Sequence, residues 1–269
     1  MGFIKLRGNA ILKNRNQIEY CVSGNYALFS DPIARMGGEK LSYMLPTYQA
    51  LKGITESIYW KPSIIWIVDE LRIMKPIRTE SKNIRPISYV APKNTLSVYT
   101  YLADVSYQVR AHFIFNENRR GDLEQDFNEH KHHNIAKRMV EKGGRKDIFL
   151  GTRECQGYVE PCTFGEGESY YDQYGELEFG VVFHGFDYPD ETGHDILTAR
   201  FWRPKMVDGV VQFPLPEEIP EEMKRSIRAM KAKKFGKEFN NFSGLEEDSL
   251  RQEFAGEGGV TNELDAETM

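Results

Sequence analysis

The sequence predicts an α+β protein: a ferredoxin-like (RRM-like) β-α-β-β-α-β domain followed by a small antiparallel β-sheet domain. Three observations carry that prediction. Apolar residues recur with strand and helix periods in that order as far as residue 162. From residue 163 onward, glycine-marked turns and short alternating runs replace them. The composition, 40% hydrophobic and 28% charged over 269 residues, suits a globular chain with one large core or two modest ones.

Residues 1–17 are polar and basic and read as a flexible N-terminal extension. The first domain, 18–162, opens with an alternating run over 18–29, a strand interrupted at Gly24. Asp31-Pro32 and Gly37-Gly38 mark turns. Residues 46–60 read as a helix: Pro46 suits a first turn, Leu51, Ile54 and Ile58 share one face, and Pro62 stops it. Residues 63–75, rich in Ile, Val and Trp, form a long strand closed by Pro76. A polar, proline-containing loop follows. The clearest strand is 100–116, where Val105, Tyr107, Val109, Ala111 and Phe113 alternate with polar neighbours. Residues 128–142 read as a helix ended by Gly143-Gly144, and 147–159 as a strand broken by Gly151 and Gly157. The second domain, 163–216, holds candidate strands at 177–186, 196–203 and 210–213, with Asp208-Gly209 as a hairpin signal. The remainder, 217–269, is a basic stretch (223–237) read as a helix, followed by an acidic, mobile tail.

The net charge of -5 argues against a nucleic-acid partner only on average. Residues 217–269 carry 13 acidic and 8 basic side chains, so residues 1–216 balance at 27 of each. A balanced body can still present a basic stripe to phosphates. Cys21, Cys155 and Cys162 fit neither a disulfide framework nor a zinc site, which points to reduced thiols and a cytoplasmic protein. The first residues lack a signal-peptide core, and the longest strongly apolar run, 64–68, is too short to span a bilayer, so no membrane partner is expected. Phosphate-loop, dinucleotide-binding and serine-hydrolase motifs are absent.

The notable cluster is Asn128-Glu129-His130-Lys131-His132-His133. Only His130 and His133 have a helical ligand spacing and no cysteine lies nearby, so neither a metal nor a cofactor is expected. A solvated helix start is the plain reading. Metal-free phosphodiester cleavage is the alternative: histidine exchanges protons near neutrality, and a fixed lysine ammonium stabilises a phosphorane. Tyr59, at the end of the first helix, is either a core aromatic or a hydroxyl serving that site. Arg35, Lys40, Arg78, Lys82, Arg85, Lys146 and Arg153 lie in loops or at element ends, where each could touch phosphate or be an ordinary surface charge.

Several stretches resemble the type I-C (Dvulg subtype) Cas5d family of CRISPR-associated proteins, in the RAMP superfamily. They are GNYALFSDP (24–32), GGEKLSYMLPTYQALKGITESIYWKP (37–62), VRAHFIFN (109–116), NEHKHHNIA (128–136), GGRKDIFLGTRECQGYVEPC (143–162) and HGFDYPDETG (184–193). The resemblance implies a metal-independent endoribonuclease that cuts precursor CRISPR RNA at the base of the repeat hairpin by 2′-hydroxyl attack. It implies that the protein then stays on the crRNA 5′ handle, beside the other subunits of the type I-C interference complex, with target DNA reached through that complex. The family's catalytic trio falls on Tyr59, Lys131 and His132, with acid and base roles shared between His132 and Tyr59. His133 and His130 are then bystanders or RNA contacts, with His133 taken as a contact. A non-catalytic RNA-binding scaffold is the rival expectation.

Overall fold

The computed structural model describes residues 16–35, 39–85 and 96–232. The expected N-terminal extension as far as residue 15, the Gly37-Gly38 turn, residues 233–237 of the basic stretch and the acidic tail lie outside the described residues. The elements are β1 (Gln17–Ala27), α1 (Pro32–Arg35), β2 (Lys40–Leu41), α2 (Tyr48–Ile58), β3 (Ile64–Ile73), β4 (Thr79–Ile84), β5 (Ser97–Phe115), α3 (Arg120–Leu123) and α4 (Glu129–Glu141). They continue with β6 (Ile148–Phe149), β7 (Gln156–Pro161), β8 (Glu176–Glu178), β9 (Val182–Asp187), α5 (Pro189–Thr192), β10 (Ile196–Trp202), β11 (Lys205–Val207), β12 (Val210–Gln212) and β13 (Lys224–Ala229). A large sheet runs β6-β7-β1-β5-β3-β12-β11-β8, with β2 and β4 both on the outer part of β5, and a smaller sheet runs β13-β10-β9. Apart from the parallel β2–β5 contact, every named strand pair is antiparallel.

The central strand, β5, organises the core. Its alternation sends Val105, Tyr107, Val109, Ala111 and Phe113 into the apolar core shared with Leu51, Ile54 and Ile58 of α2 and Ala136 and Val140 of α4. The other face is polar and neutralised in place. Arg110 pairs with Glu19 and Glu70, His112 with Asp69 at 2.8 Å, and Arg72 with Asp172 at 2.9 Å. Phe164 lies under the Arg110 guanidinium, and the Gly165 N–H donates to Gln108, so the chain after β7 covers this face. The helix α2 starts where Thr47 Oγ1 accepts from the Ala50 N–H at 3.1 Å.

Five expectations change. The polar loop after β3 contains a strand, β4, because Thr79–Ile84 takes the free edge of the outer half of β5. Gly24 does not interrupt β1; a Cβ there would lie 2.6 Å from Leu150, so the glycine admits the β6–β7 hairpin against an unbroken strand. Residues 147–159 form that hairpin rather than one strand, because Gly151 turns the chain at φ +93°. The strands after residue 163 do not make one separate sheet. Residues 177–186 split into β8 and β9; β8, β11 and β12 extend the large sheet through β12–β3 pairing, while β9, β10 and β13 make the small one. The basic stretch is no helix where it is described: Lys224–Ala229 is an edge strand on β10. The unpaired edge of β10 offers its backbone a ladder, which outweighs the helix propensity of Lys, Arg and Ala. The Asp208-Gly209 hairpin signal joins β11 to β12, with φ of +48° and +82° as a primed turn requires. Cys21, Cys155 and Cys162 are free thiols. Among the described residues, no helix is long and apolar enough to cross a membrane.

Candidate active site

Two helix ends and the start of one strand build the site. α2 stops at Tyr59, whose backbone is extended (φ -158°, ψ 129°). Its N–H donates to Thr55 O at 3.0 Å and its carbonyl accepts from Trp66 Nε1 at 2.7 Å, so the residue is pinned on both sides. α4 starts at Asn128, whose side chain accepts from the Lys131 N–H at 3.0 Å. Its buried stripe is His132, Ala136 and Val140, four residues apart, which turns His132 inward and leaves Lys131 at the surface.

The Tyr59 hydroxyl lies 2.8 Å from His132 Nδ1. The opposite nitrogen, Nε2, lies 2.6 Å from the backbone carbonyl of Asp126. A carbonyl only accepts, so Nε2 carries the proton and Nδ1 accepts from Tyr59. The hydroxyl keeps its proton: burial, then the Asp126 charge, push Tyr59 up to about 12 against the opposing charge of Arg145. The Asp126 carboxylate lies between the partners. Oδ1 is 2.5 Å from Lys131 Nζ, and Oδ2 is 2.5 Å from Ser63 Oγ and 3.6 Å from His132 Nε2. Burial raises the Asp126 pKa, but the hydrogen bonds from Lys131 and Ser63 outweigh it and hold the group below the ordinary carboxylate value.

The imidazole and the phenol are covered, while the Lys131 ammonium is exposed. His132 is 0% exposed and Tyr59 2%. Phe113 and Phe115 present their rings to the imidazole at centroid distances of 6.0 and 6.2 Å. Phe127 stacks on Phe115 at 4.8 Å, and Arg120 lies over Phe127. The segment 117–127 therefore roofs the site. Beside it is a surface hollow of about 650 Å³, lined by residues 121–126 and Lys131. Among the described residues, no three His, Cys, Asp or Glu side chains gather as metal ligands would.

Tyr59, Lys131 and His132 thus converge, but the basic residues singled out in the sequence do not join them. Lys40 of β2 and Lys82 of β4 flank Tyr99 of β5 from its two sides. Lys40 Nζ sits 4.5 Å from the Tyr99 ring centre and Lys82 Nζ 3.4 Å from that of Tyr26. Arg78 and Arg85 bracket β4 and are exposed. This basic and tyrosine-rich patch and the buried Tyr59–His132 pair lie at opposite ends of β5, separated by roughly 50 Å of strand. Arg35 ends α1 and Arg153 lies in the β6–β7 turn, both exposed. Lys146 is exposed at the C-terminal end of α2, where its N–H donates to Ser57 O. His133 lines a different hollow, with Gln17, Lys137 and Cys162. Sequence reasoning missed Ser63, Asp126 and Arg145. Ser63 and Asp126 sit in a strand-entry turn and an irregular loop, where no periodicity marks them.

A model of the family "CRISPR-associated protein (Cas_Cas5)", Cas5d type, matches residues 18–214. The chain belongs to the Cas5d family. Its relatives include the CRISPR pre-crRNA endoribonuclease Cas5d of Mannheimia succiniciproducens, 28% identical over 240 residues, covering 78% of this chain and 99% of that protein. The CRISPR pre-crRNA endoribonuclease Cas5d of Thermus thermophilus is 29% identical over 150 residues, 52% of this chain and 62% of the relative. Two solved structures superpose with a TM-score of 0.64, each over 78% of this chain and 96% of its own: a CRISPR-associated protein at 35% identity, and the functionally uncharacterized SMU1763c of Streptococcus mutans at 36%. Tyr59, Lys131 and His132 all fall inside the span that the Cas5d family model matches.

Proposed function

We propose that this chain cuts precursor CRISPR RNA within the repeat, at the base of its hairpin, by metal-independent attack of a 2′-hydroxyl on the adjacent phosphate. The observation that carries the reading is the Tyr59–His132 hydrogen bond beside Lys131, in a chain whose relatives are named pre-crRNA endoribonucleases. In this mechanism Lys131 stabilises the phosphorane, and His132 works through Nε2, the nitrogen on the Lys131 side. Once RNA displaces the Asp126 carbonyl and the ring takes its Nδ1–H form, Nε2 accepts the 2′-hydroxyl proton, and the resulting imidazolium returns a proton to the leaving 5′-oxygen. Tyr59 lies behind the ring and is a positioning residue: its hydroxyl donates to Nδ1 in the resting tautomer and its oxygen accepts from Nδ1–H in the reacting one. The strand order β7-β1-β5-β3, with α2 and α4 in the connections, supports a ferredoxin-like reading of the first domain. After cutting, the product's 5′ handle stays on the protein within a type I-C interference complex. The lysine and tyrosine patch at the far end of β5, with Arg78 and Arg85, is suited to hold it, and Arg35, Lys146, Arg153 and His133 are further RNA contacts.

The complete burial of His132 favours a second reading, an RNA-holding subunit that does not cut. Cleavage of a labelled repeat hairpin in EDTA separates the two. A single cut by wild type, lost in His132→Ala with binding retained, is the expected result. Binding without cutting by wild type would leave the scaffold. Cutting of a hairpin with 2′-deoxyribose at the cleavage position would refute the 2′-hydroxyl mechanism.

A further inference from the structure

Asp126 has no part in the proton transfers above, yet its carboxylate occupies the centre of the site. The Lys131 ammonium and the Ser63 hydroxyl each bond one of its oxygens at 2.5 Å, and His132 Nε2–H stands 3.6 Å from one of them. An RNA phosphodiester also presents two acceptor oxygens sharing one negative charge. An ammonium, a hydroxyl and an imidazole N–H are the donors it would take. Ser63 is 0% exposed, so its hydroxyl is fixed in place by the surrounding core rather than free to turn to water.

Closure points the same way. With Asp126 seated, His132 and Tyr59 are 0% and 2% exposed. The hollow of about 650 Å³ is lined by both Asp126 and Lys131, so a phosphate entering it would meet them. His132 also bonds the Asp126 backbone carbonyl, so releasing the side chain and opening the imidazole are one movement of the 3-10 turn Glu124–Asp126.

We infer that Asp126 occupies the seat of the scissile phosphate, that Ser63 is a further phosphate-binding residue of that seat, and that RNA binds by displacing the carboxylate. This rests on the nuclease reading for the identity of the phosphate.

The test is binding of a repeat hairpin carrying 2′-deoxyribose at the cut, so that affinity is measured without turnover. Asp126→Asn should bind it about tenfold more tightly than wild type, a difference of about 1.4 kcal/mol. Glu124→Gln, the same charge change in the same turn, should gain less than about twofold, as expected for a solvent-screened charge. In a Lys131→Met background the Asp126→Asn gain should vanish, because the lysine is what carboxylate and phosphate compete for. Ser63→Ala should weaken binding at least about tenfold when added to Asp126→Asn, the loss of one hydrogen bond to a charged acceptor. Asp126→Ser keeps a hydroxyl for Ser63 and carries the same expectation, which covers poor folding of the amide variant. Binding by the Asp126 variants that is equal to or weaker than wild type overturns the inference, and so does a gain that survives Lys131→Met. Cleavage of the all-ribose hairpin is scored separately: if wild type does not cut it, the nuclease reading falls, while the phosphate seat is still judged on the affinities.

Discussion

Lowering the pH from 7 to 5 charges His184 in the unfolded chain but not in the folded one. His184 lies on β9, 0% exposed, stacked on Tyr48 at 4.2 Å with Trp202 and Phe213 at its edges. Burial first, then the charges of Arg200 and Lys52, lower its pKa from 6.5 to about 3, against the Pro214 carbonyl, which raises it. A lowered histidine pKa means that the unfolded state binds the proton first. Its contribution to stability is therefore complete above pH 6.5 and is lost as the pH falls towards 3. Each pH unit in that window costs about 1.4 kcal/mol, so the loss is about 2 kcal/mol at pH 5 and about 5 kcal/mol near pH 3. Against a typical total of about 5–15 kcal/mol, that is a large share. The assay is urea unfolding of wild type and His184→Phe at pH 7 and pH 5. Phenylalanine keeps the stack on Tyr48 and removes the titration, and the carboxylates common to both proteins cancel. Wild type should lose about 2 kcal/mol more than the variant between the two pH values. Equal losses would refute the account, because His184 would then be protonated alike in both states.

Three further outcomes follow from single contacts. Tyr59→Phe should slow hairpin cleavage about tenfold, the worth of one buried hydrogen bond, and shift the pH–rate profile while leaving RNA affinity unchanged; a loss as deep as that of His132→Ala would make Tyr59 a proton carrier rather than a positioning residue. Thr47→Ala removes the cap at the start of α2 and should cost about 1 kcal/mol in urea unfolding, with a loss under about 0.3 kcal/mol counting against the cap. Gly151→Ala puts a Cβ 2.0 Å from Leu28 O at φ +93°, and should cost at least about 3 kcal/mol or prevent folding, as read by thermal unfolding; a variant that melts like wild type would show that the β6–β7 turn can move away.

The long elements were legible because their periodicity matches their burial. Ile64 to Val68 reads as an apolar run because β3 is buried on both faces, and β5 alternates because one face meets α2 and α4 while the other pairs charges. The trio was legible through residue type and resemblance, but its depth was not. The inward stripe His132, Ala136 and Val140 is visible in the sequence at i, i+4 and i+8, and it foretells a buried imidazole; Lys131 next to it distracts towards the surface. Where the reading failed, tertiary pairing overrode local preference. Lys224–Ala229 has the composition of a helix and takes the free edge of β10 instead. Asp126 and Ser63 left no pattern because they meet only through tertiary structure, the turn before α4 reaching the start of β3, a contact between residues 63 positions apart.

The buried site and the distant basic patch fit together energetically under the proposed function. Opening the roof costs the Phe127–Phe115 stack, the Lys131–Asp126 and Ser63–Asp126 bonds and the seal over His132. A lone phosphate returns only the bonds made by Asp126, one negative charge replacing another, so electrostatics at the seat alone leave the aromatic cover unpaid. The rest must come from contacts away from the reacting atoms, where binding energy can be spent on rearranging the site. A long RNA that touches Lys40, Lys82 and the tyrosines at one end of β5 while its scissile phosphate meets Lys131 at the other can supply it; a short oligonucleotide cannot. Burial of His132 then acts as selection. On the proposed function, it would keep the Tyr59–His132 pair closed to the general pool of cellular RNA and open it to a substrate long enough to hold both ends.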